Sequence, residues 1–338
     1  MRLLLLFPAL VGLAGCATGQ LARSDQRALA GRVYVVTGAS SGFGRGVAEL
    51  LGAHGAHVVL AARRQAELDK VAAIVAARGG QALVAPTDVS DADAVARLAA
   101  AAVARFGRID VWINNAGVGA IGPFERIPAA DHARVVDVNY KGVIFGSAEA
   151  LRLFKAQGRG VLVNIGSVES RIPLAYHASY AGTKHAVLGL SEAIAEELRL
   201  AGVGRAIRVT TVLPWAADTL YWQNTANYSG RTPRMVLMDP PETVARAIVR
   251  ASLHPRPRVA VGWKAKAALT AHALLPDVAE AVAADVSHRA QMRDAPPAPD
   301  TPGSLHTPDP AATGVSGGNR ARIKAEDAAR TPPPRGES

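Results

Sequence analysis

Tyr180 and Lys184 stand four residues apart in the run Tyr180-Ala181-Gly182-Thr183-Lys184, at the start of a helical pattern, so a phenol and an ammonium share one helix face. That pairing has a chemical use. A free phenol, with a pKa of about 10, is a poor acid or base at neutral pH, and a neighbouring cation favours its phenolate and draws that value down. Tyr180 is therefore a candidate general acid toward a carbonyl oxygen, or general base toward an alcohol. Tyr and Lys at this spacing also occur by chance on many helices, so the reading needs companions elsewhere in the chain.

A second run, Thr37-Gly38-Ala39-Ser40-Ser41-Gly42-Phe43-Gly44, follows an apolar strand-like segment and leads into a helical one. Glycines there let the backbone turn tightly and approach a pyrophosphate, while the N-terminus of the next helix offers unpaired N–H groups to its charge. The TGxxxGxG spacing differs from GxGxxG and resembles the turn of the short-chain dehydrogenase/reductase family. The resemblance extends to Asp88-Val89 after the third strand, to Asn114-Asn115-Ala116-Gly117 after the fourth, and to the YxxxK run itself.

The resemblance implies an NADP(H)-dependent carbonyl reductase or secondary alcohol dehydrogenase that moves a hydride between a nicotinamide and a carbonyl carbon. Four residues then have implied roles. Tyr180 is the acid or base, Ser167 polarises the carbonyl from thirteen positions upstream, Lys184 holds the nicotinamide ribose, and Asn139 supports a water-linked proton path to the lysine. On the cofactor side the implied contacts are Gly38, Ser40, Ser41, Gly42, Phe43 and Gly44 in the turn, and Asp88 and Val89 at the adenine. Asn115, Ala116 and Gly117 follow the fourth strand, and Pro214 and Thr219 lie near the carboxamide; Trp215, where family members commonly have glycine, is a departure that alters this loop.

The end of the second strand reads Ala61-Ala62-Arg63-Arg64. A carboxylate at this place would bind the adenine ribose hydroxyls, whereas a cation welcomes a 2′-phosphate. No carboxylate stands there, so NADP(H) is expected over NAD(H), with Arg63 as the first phosphate contact and Arg64 and Arg45 as helpers. Residues 215–238, with Trp215, Tyr221, Trp222 and Tyr228, form a candidate lid, and Val168, Glu169 and residues 172–176 a facing wall. Aromatic lining points to a small apolar carbonyl or alcohol substrate.

Placing these groups requires a regular scaffold. Apolar runs at 32–37, 57–61, 81–85, 109–113, 160–165, 207–213 and 258–261 read as strands, separated by helical patterns at 44–54, 65–78, 91–106, 129–156, 179–201 and 241–253. Strands alternating with helices predict an α/β fold, a Rossmann-type doubly wound parallel sheet of about seven strands in a single domain. The expected organisation is a lipoprotein-like signal peptide at 1–18, a tether at 19–31, the catalytic domain at 32–262, a helical extension at 263–290 and a disordered tail at 291–338. Pro, Gly, Ala, Asp and Arg dominate that tail, a composition short of the apolar surface that offsets chain entropy.

Composition narrows the remaining classes. With 49% hydrophobic and 20% charged residues the chain has the profile of a globular protein. Its formal net charge of +10 is scattered along the sequence rather than gathered in one stripe, so no nucleic-acid partner is expected. Cys16 is the single cysteine, which excludes an intramolecular disulfide and a cysteine-based zinc cluster; no metal is expected. Met1-Arg2, the apolar run to Leu13 and Leu13-Ala14-Gly15-Cys16 look like a lipobox, predicting a lipid anchor at Cys16 and a bacterial envelope location, or a cytoplasmic one if translation starts near Leu21 or Leu29. The family resemblance implies a homo-oligomer. The alternative function is a membrane-tethered NADP(H)-binding sensor or scaffold without turnover.

Overall fold

A computed structural model describes residues 21–330. The signal and Cys16 lie outside the described residues. The strands are β1 (Val33–Thr37), β2 (His57–Ala62), β3 (Gln81–Pro86), β4 (Val111–Asn114), β5 (Ala120–Ile121), β6 (Gly160–Ile165), β7 (Ile207–Leu213), β8 (Ala226–Asn227) and β9 (Arg258–Ala260). The helices are α1 (Arg23–Leu29), α2 (Gly42–Gly52), α3 (Gln65–Ala77), α4 (Ala92–Phe106), α5 (Ala129–Val136), α6 (Gly142–Gln157), α7 (Ala178–Leu200), α8 (Tyr221–Asn224), α9 (Pro241–Leu253), α10 (Gly262–Leu274), α11 (Pro276–His288) and α12 (Asn319–Arg330).

Seven strands form one parallel sheet in the order β3-β2-β1-β4-β6-β7-β9, while β5 and β8 pair separately. The central strands are continuous apolar runs because both faces are covered. Every residue of β1, β4 and β6 is buried. One face packs on α2, α3 and α9 through Val47, Leu51, Leu68 and Ile248. The other packs on α4, α6 and α7 through Leu98, Phe154, Ile194 and Leu198. Local signals agree with these limits: the Asp91 side chain accepts from the amides of Asp93 and Ala94 to start α4, and Gly107 ends it at φ 75°. Strand order reverses between β1 and β4, which opens a crevice at their carboxyl ends.

Three expectations need correction. The tether contains α1, whose Leu29 is buried in the core and whose Asp25 accepts from His254 Nε2 at 2.8 Å. The single helix expected at 129–156 is broken by a π-turn, Asp137–Lys141, which widens the helix at Asn139. The tail expected to be disordered is ordered through Arg330. It is anchored by buried Leu305 and Asn319 and by domain arginines that bond its backbone carbonyls, a source of order that apolar composition does not register.

The extension at α10 and α11 turns a small-residue face, including Ala268, Ala271 and Ala279, toward the crevice and leaves Trp263, Leu274, Leu275 and Val278 exposed. No helix among the described residues is long and apolar enough to cross a membrane.

Candidate active site

At the end of β1 the Thr37 hydroxyl accepts from the amides of Asn115 at 3.0 Å and Ala116 at 3.1 Å, while Asn115 Nδ2 donates to the Thr37 carbonyl at 2.8 Å. These bonds clip β1 to β4 where the sheet order reverses. Gly38 has a left-handed φ of 68° and lies so near β4 that a Cβ there would fall 2.9 Å from Ala116 Cα. Gly44 faces away from the crevice: a Cβ on it would strike the Gly38 carbonyl and fall 2.6 Å from Asn115 Nδ2. Gly44 thus supports the turn from behind, while Gly38, Ser40, Ser41, Gly42 and Phe43 line the crevice.

The ends of β4 and β6, the π-turn and α7 bring the second group together. Lys184, one turn after Tyr180 on α7, is buried and donates Nζ to the Ile165 carbonyl at the end of β6, at 2.8 Å. Its nitrogen lies 5.4 Å from the centre of the Tyr180 ring. The Ser167 hydroxyl, which accepts from the Glu169 amide at 3.1 Å, lies beside the Tyr180 phenol on the wall of the crevice. Asn139 does not reach the crevice itself. Its Oδ1 accepts from the Val118 amide at 2.8 Å and its Nδ2 donates to the Val118 carbonyl at 2.9 Å, so it fixes the strand-like segment after β4. A Cβ on Gly117 would lie 3.5 Å from Asn139 Oδ1 and 3.8 Å from Lys184 Nζ, which places Gly117 over both.

The electrostatics correct a further expectation. Burial pushes the Tyr180 phenol above its ordinary value, the Glu169 carboxylate adds to the rise, and the Ser167 hydroxyl opposes it. Lys184 is not among the groups that lower it, because a lysine that loses its charge at about 8 is already neutral where the raised phenol ionises. Burial instead brings Lys184 down to about 8, against an opposing pull from Glu169. Glu169 is the residue whose importance sequence reading underestimated. It is buried two positions after Ser167, its Oε1 meets His177 Nδ1 at 3.2 Å, and its Oε2 has no partner among the described residues. Its signal was present, since a carboxylate and a histidine flank the Ser and Tyr positions, but spacing does not show that they face each other.

The crevice encloses about 450 Å3. Trp215, Tyr221 and Trp222 line it, with the Tyr221 ring 5.5 Å from that of Tyr180. Tyr228 does not: its hydroxyl bonds the Asp131 carboxylate on the far side of the lid. Of the facing wall, Val168, Glu169, Ile172 and Leu174 line the crevice, whereas Tyr176 points out to His288. Pro214 and Thr219 border it too, and Thr219 approaches Gly42, to whose Cβ position its own Cβ would be 3.6 Å away.

At the other end lie Arg63, Asp88 and Val89. Asp88 bonds Arg134 Nη2 at 2.6 Å and Ser90 Oγ at 2.7 Å; burial raises its carboxyl, and these bonds outweigh that and hold it below the usual value. Arg45 turns away to Glu49 at 2.8 Å, so it is not placed as a phosphate helper. Arg64 Nη2 donates to Ser40 Oγ in the glycine turn at 3.2 Å. Among the described residues no group of His, Cys, Asp and Glu could hold a metal ion.

A doubly wound parallel sheet, a glycine turn at its switch point and a Ser-Tyr-Lys cluster across from it define a Rossmann-type α/β protein. The chain matches the short chain dehydrogenase family over residues 32–228 and belongs to that family. It is 31% identical over 278 residues to the uncharacterized oxidoreductase YxnA of Bacillus subtilis, covering 81% of this chain and 78% of that one. It is 38% identical over 194 residues to 3beta-hydroxysteroid dehydrogenase 1 of Eggerthella lenta, covering 56% of this chain and 72% of that one. Among solved structures, a short chain dehydrogenase/reductase from Burkholderia phymatum in complex with NAD superposes with a TM-score of 0.66 at 26% identity, over 74% of this chain and 95% of that one.

Proposed function

We propose that this protein is a carbonyl reductase, or in reverse a secondary alcohol dehydrogenase, that uses NADP(H) in preference to NAD(H) on an apolar ketone. The observation that carries the reading is the meeting of Tyr180 with Ser167 and Lys184 at the mouth of the switch-point crevice.

A dinucleotide fits the residues present. Gly38 and Gly42 take left-handed φ angles that keep the turn free of side chains, and Gly44 packs where a Cβ would collide with the backbone. The relative from Burkholderia phymatum holds NAD. Gly38 to Phe43, Asn115, Ala116 and Thr219 would hold such a cofactor here, and Arg63 and Arg64 at the end of β2 favour a 2′-phosphate over a free ribose hydroxyl. When bound, the nicotinamide supplies or accepts a hydride.

The chain's own groups handle the proton. Ser167 donates toward the substrate oxygen, and Tyr180 delivers the proton that the oxygen needs as its charge develops. A phenol raised by burial and by Glu169 stays protonated at neutral pH, which suits the acid role and hence reduction. Lys184, charged below about pH 8, holds the end of β6 and faces the tyrosine ring. The apolar wall of Ile172, Leu174, Trp215 and Trp222 excludes water and suits a ring-bearing ketone, a substrate class to which the hydroxysteroid relative's name belongs.

The test is oxidation of NADPH by the purified protein with a panel of alicyclic, steroidal and aliphatic ketones. Tyr180→Phe should lower turnover by about a hundredfold or more while leaving NADPH binding unchanged. Turnover retained in Tyr180→Phe, or none with any carbonyl in the parent, would overturn the proposal.

A further inference from the structure

The segment at 303–319 runs from the Arg63 end of the crevice, which it lines with Ser304, Pro308 and Asp309, past the glycine turn to Thr219. Its backbone carbonyls stand on the groups that a dinucleotide's phosphates would use. Arg63 Nη2 donates to the Ser304 carbonyl at 2.7 Å, and its Nη1 donates to those of Leu305 and His306, each at 3.0 Å. Arg64 donates to the Asp309 carbonyl at 2.9 Å and also to that of Ala312. The first amide of α2, at Gly42, donates to the Gly314 carbonyl at 3.0 Å. An unpaired amide at the start of a helix is the donor expected to meet a pyrophosphate.

Both ends of the segment are latched. Leu305 is fully buried among Ala120, Ile127, Val135 and Ala226. At the nicotinamide end the Asn319 amide donates to Asp218 Oδ1 at 2.7 Å, and Asn319 Nδ2 donates to Asp218 Oδ1 and to the Thr219 carbonyl, each at 2.9 Å. Glycines with left-handed φ at Gly303, Gly314 and Gly318 give the segment its bends.

We propose that residues 303–319 are an intramolecular competitor for the dinucleotide site, a strap that the cofactor must lift from Arg63, Arg64 and Gly42 before it can bind. This rests on the cofactor reading above but not on the choice between NADP(H) and NAD(H), because the Gly42 amide would serve the pyrophosphate that both share. Carbonyl oxygens are neutral acceptors and phosphate oxygens are anionic, so a dinucleotide forms the stronger bonds to the same donors. Its apparent affinity is nonetheless reduced by the fraction of molecules whose strap is closed. The strap therefore sets the cofactor concentration at which the enzyme becomes active.

Three proteins test this: the full chain, a chain ending at Pro302, and the full chain carrying Asn319→Asp. The last sets a second carboxylate against Asp218 and unlatches one end; Asn319 itself does not line the crevice, and Arg63, Arg64 and Gly42 are unchanged. Dissociation constants for NADPH and NADH are measured by titration, and amide hydrogen exchange of residues 303–319 is followed with and without NADPH. The expected result is binding about tenfold or more tighter in the shortened chain, a smaller gain in Asn319→Asp, and strap amides that lose protection when NADPH is added. Unchanged or weaker binding in both variants, or protection that rises on binding as a closing lid would give, overturns the strap while leaving the cofactor reading intact. If none of the three binds either dinucleotide, the cofactor reading fails and the strap proposal falls with it.

Discussion

Lys184 holds the end of β6 by a 2.8 Å bond to the Ile165 carbonyl, two residues before Ser167, so the cation of α7 positions the strand that carries the serine. The same burial that makes this bond dry brings the lysine down to about 8 from its ordinary 10.5.

One consequence is a pH dependence. The rate of carbonyl reduction at limiting cofactor reports the free enzyme, and it should be level below about pH 8 and fall above it as Lys184 loses its charge. Lys184→Arg, which stays charged, should move the fall to higher pH. Stability runs the other way: from about 8 to 10.5 the unfolded lysine binds more proton than the folded one, so the parent should gain stability with rising pH relative to Lys184→Met. Rate and urea-unfolding measurements across about pH 6–11, a range that brackets both lysine values, check both, and a rate level through that range rejects the assignment.

Glu169 should tune both partners. Its carboxylate raises Tyr180 and Lys184 alike, so Glu169→Gln should lower both. Alcohol oxidation, which needs the phenol to accept a proton, should begin at lower pH, and the high-pH fall in reduction should also move lower. His177 can still bond the amide oxygen, so the loop keeps its contact. Limbs that stay in place would leave Glu169 a purely structural partner of His177.

Arg63 should carry cofactor choice. Arg63→Ala removes the donors at the end of β2 and should reduce the NADPH-to-NADH affinity ratio by about tenfold or more, the size of one charged hydrogen bond. The ratio is the proper measure because loosening the strap affects both dinucleotides together. An unaltered ratio would move phosphate recognition elsewhere.

Cys16 should carry lipid. Labelled palmitate fed to a bacterial host making the full chain should appear in the protein and vanish in Cys16→Ser, with the protein moving from the membrane to the soluble fraction. Equal fractionation of the two forms would remove the anchor.

The seven strands were legible because each is a short, mostly apolar run between helical patterns, and α9 begins at Pro241 and ends at Leu253 where its pattern does. The Tyr180–Lys184 pairing was legible because helical spacing alone puts the two on one face. Asn139 is different: its residue type could be read, but the π-turn that aims it at Val118 arises from packing between α5, α6 and α7. Tyr228 looked like a lid aromatic by position, and only its bond to Asp131 takes it out of the crevice.

By itself the sequence determined the order of strands and helices, the glycine turn and the acid-base pair, because all of these follow from contacts within a few residues of one another. Tertiary structure alone decided that Glu169 faces His177, that Lys184 serves Ile165, and that a proline-rich tail lies on Arg63 across 241 to 243 positions of chain. The physical reason is that a guanidinium bonds any carbonyl brought to it, and no periodicity along the chain records which distant carbonyl that will be.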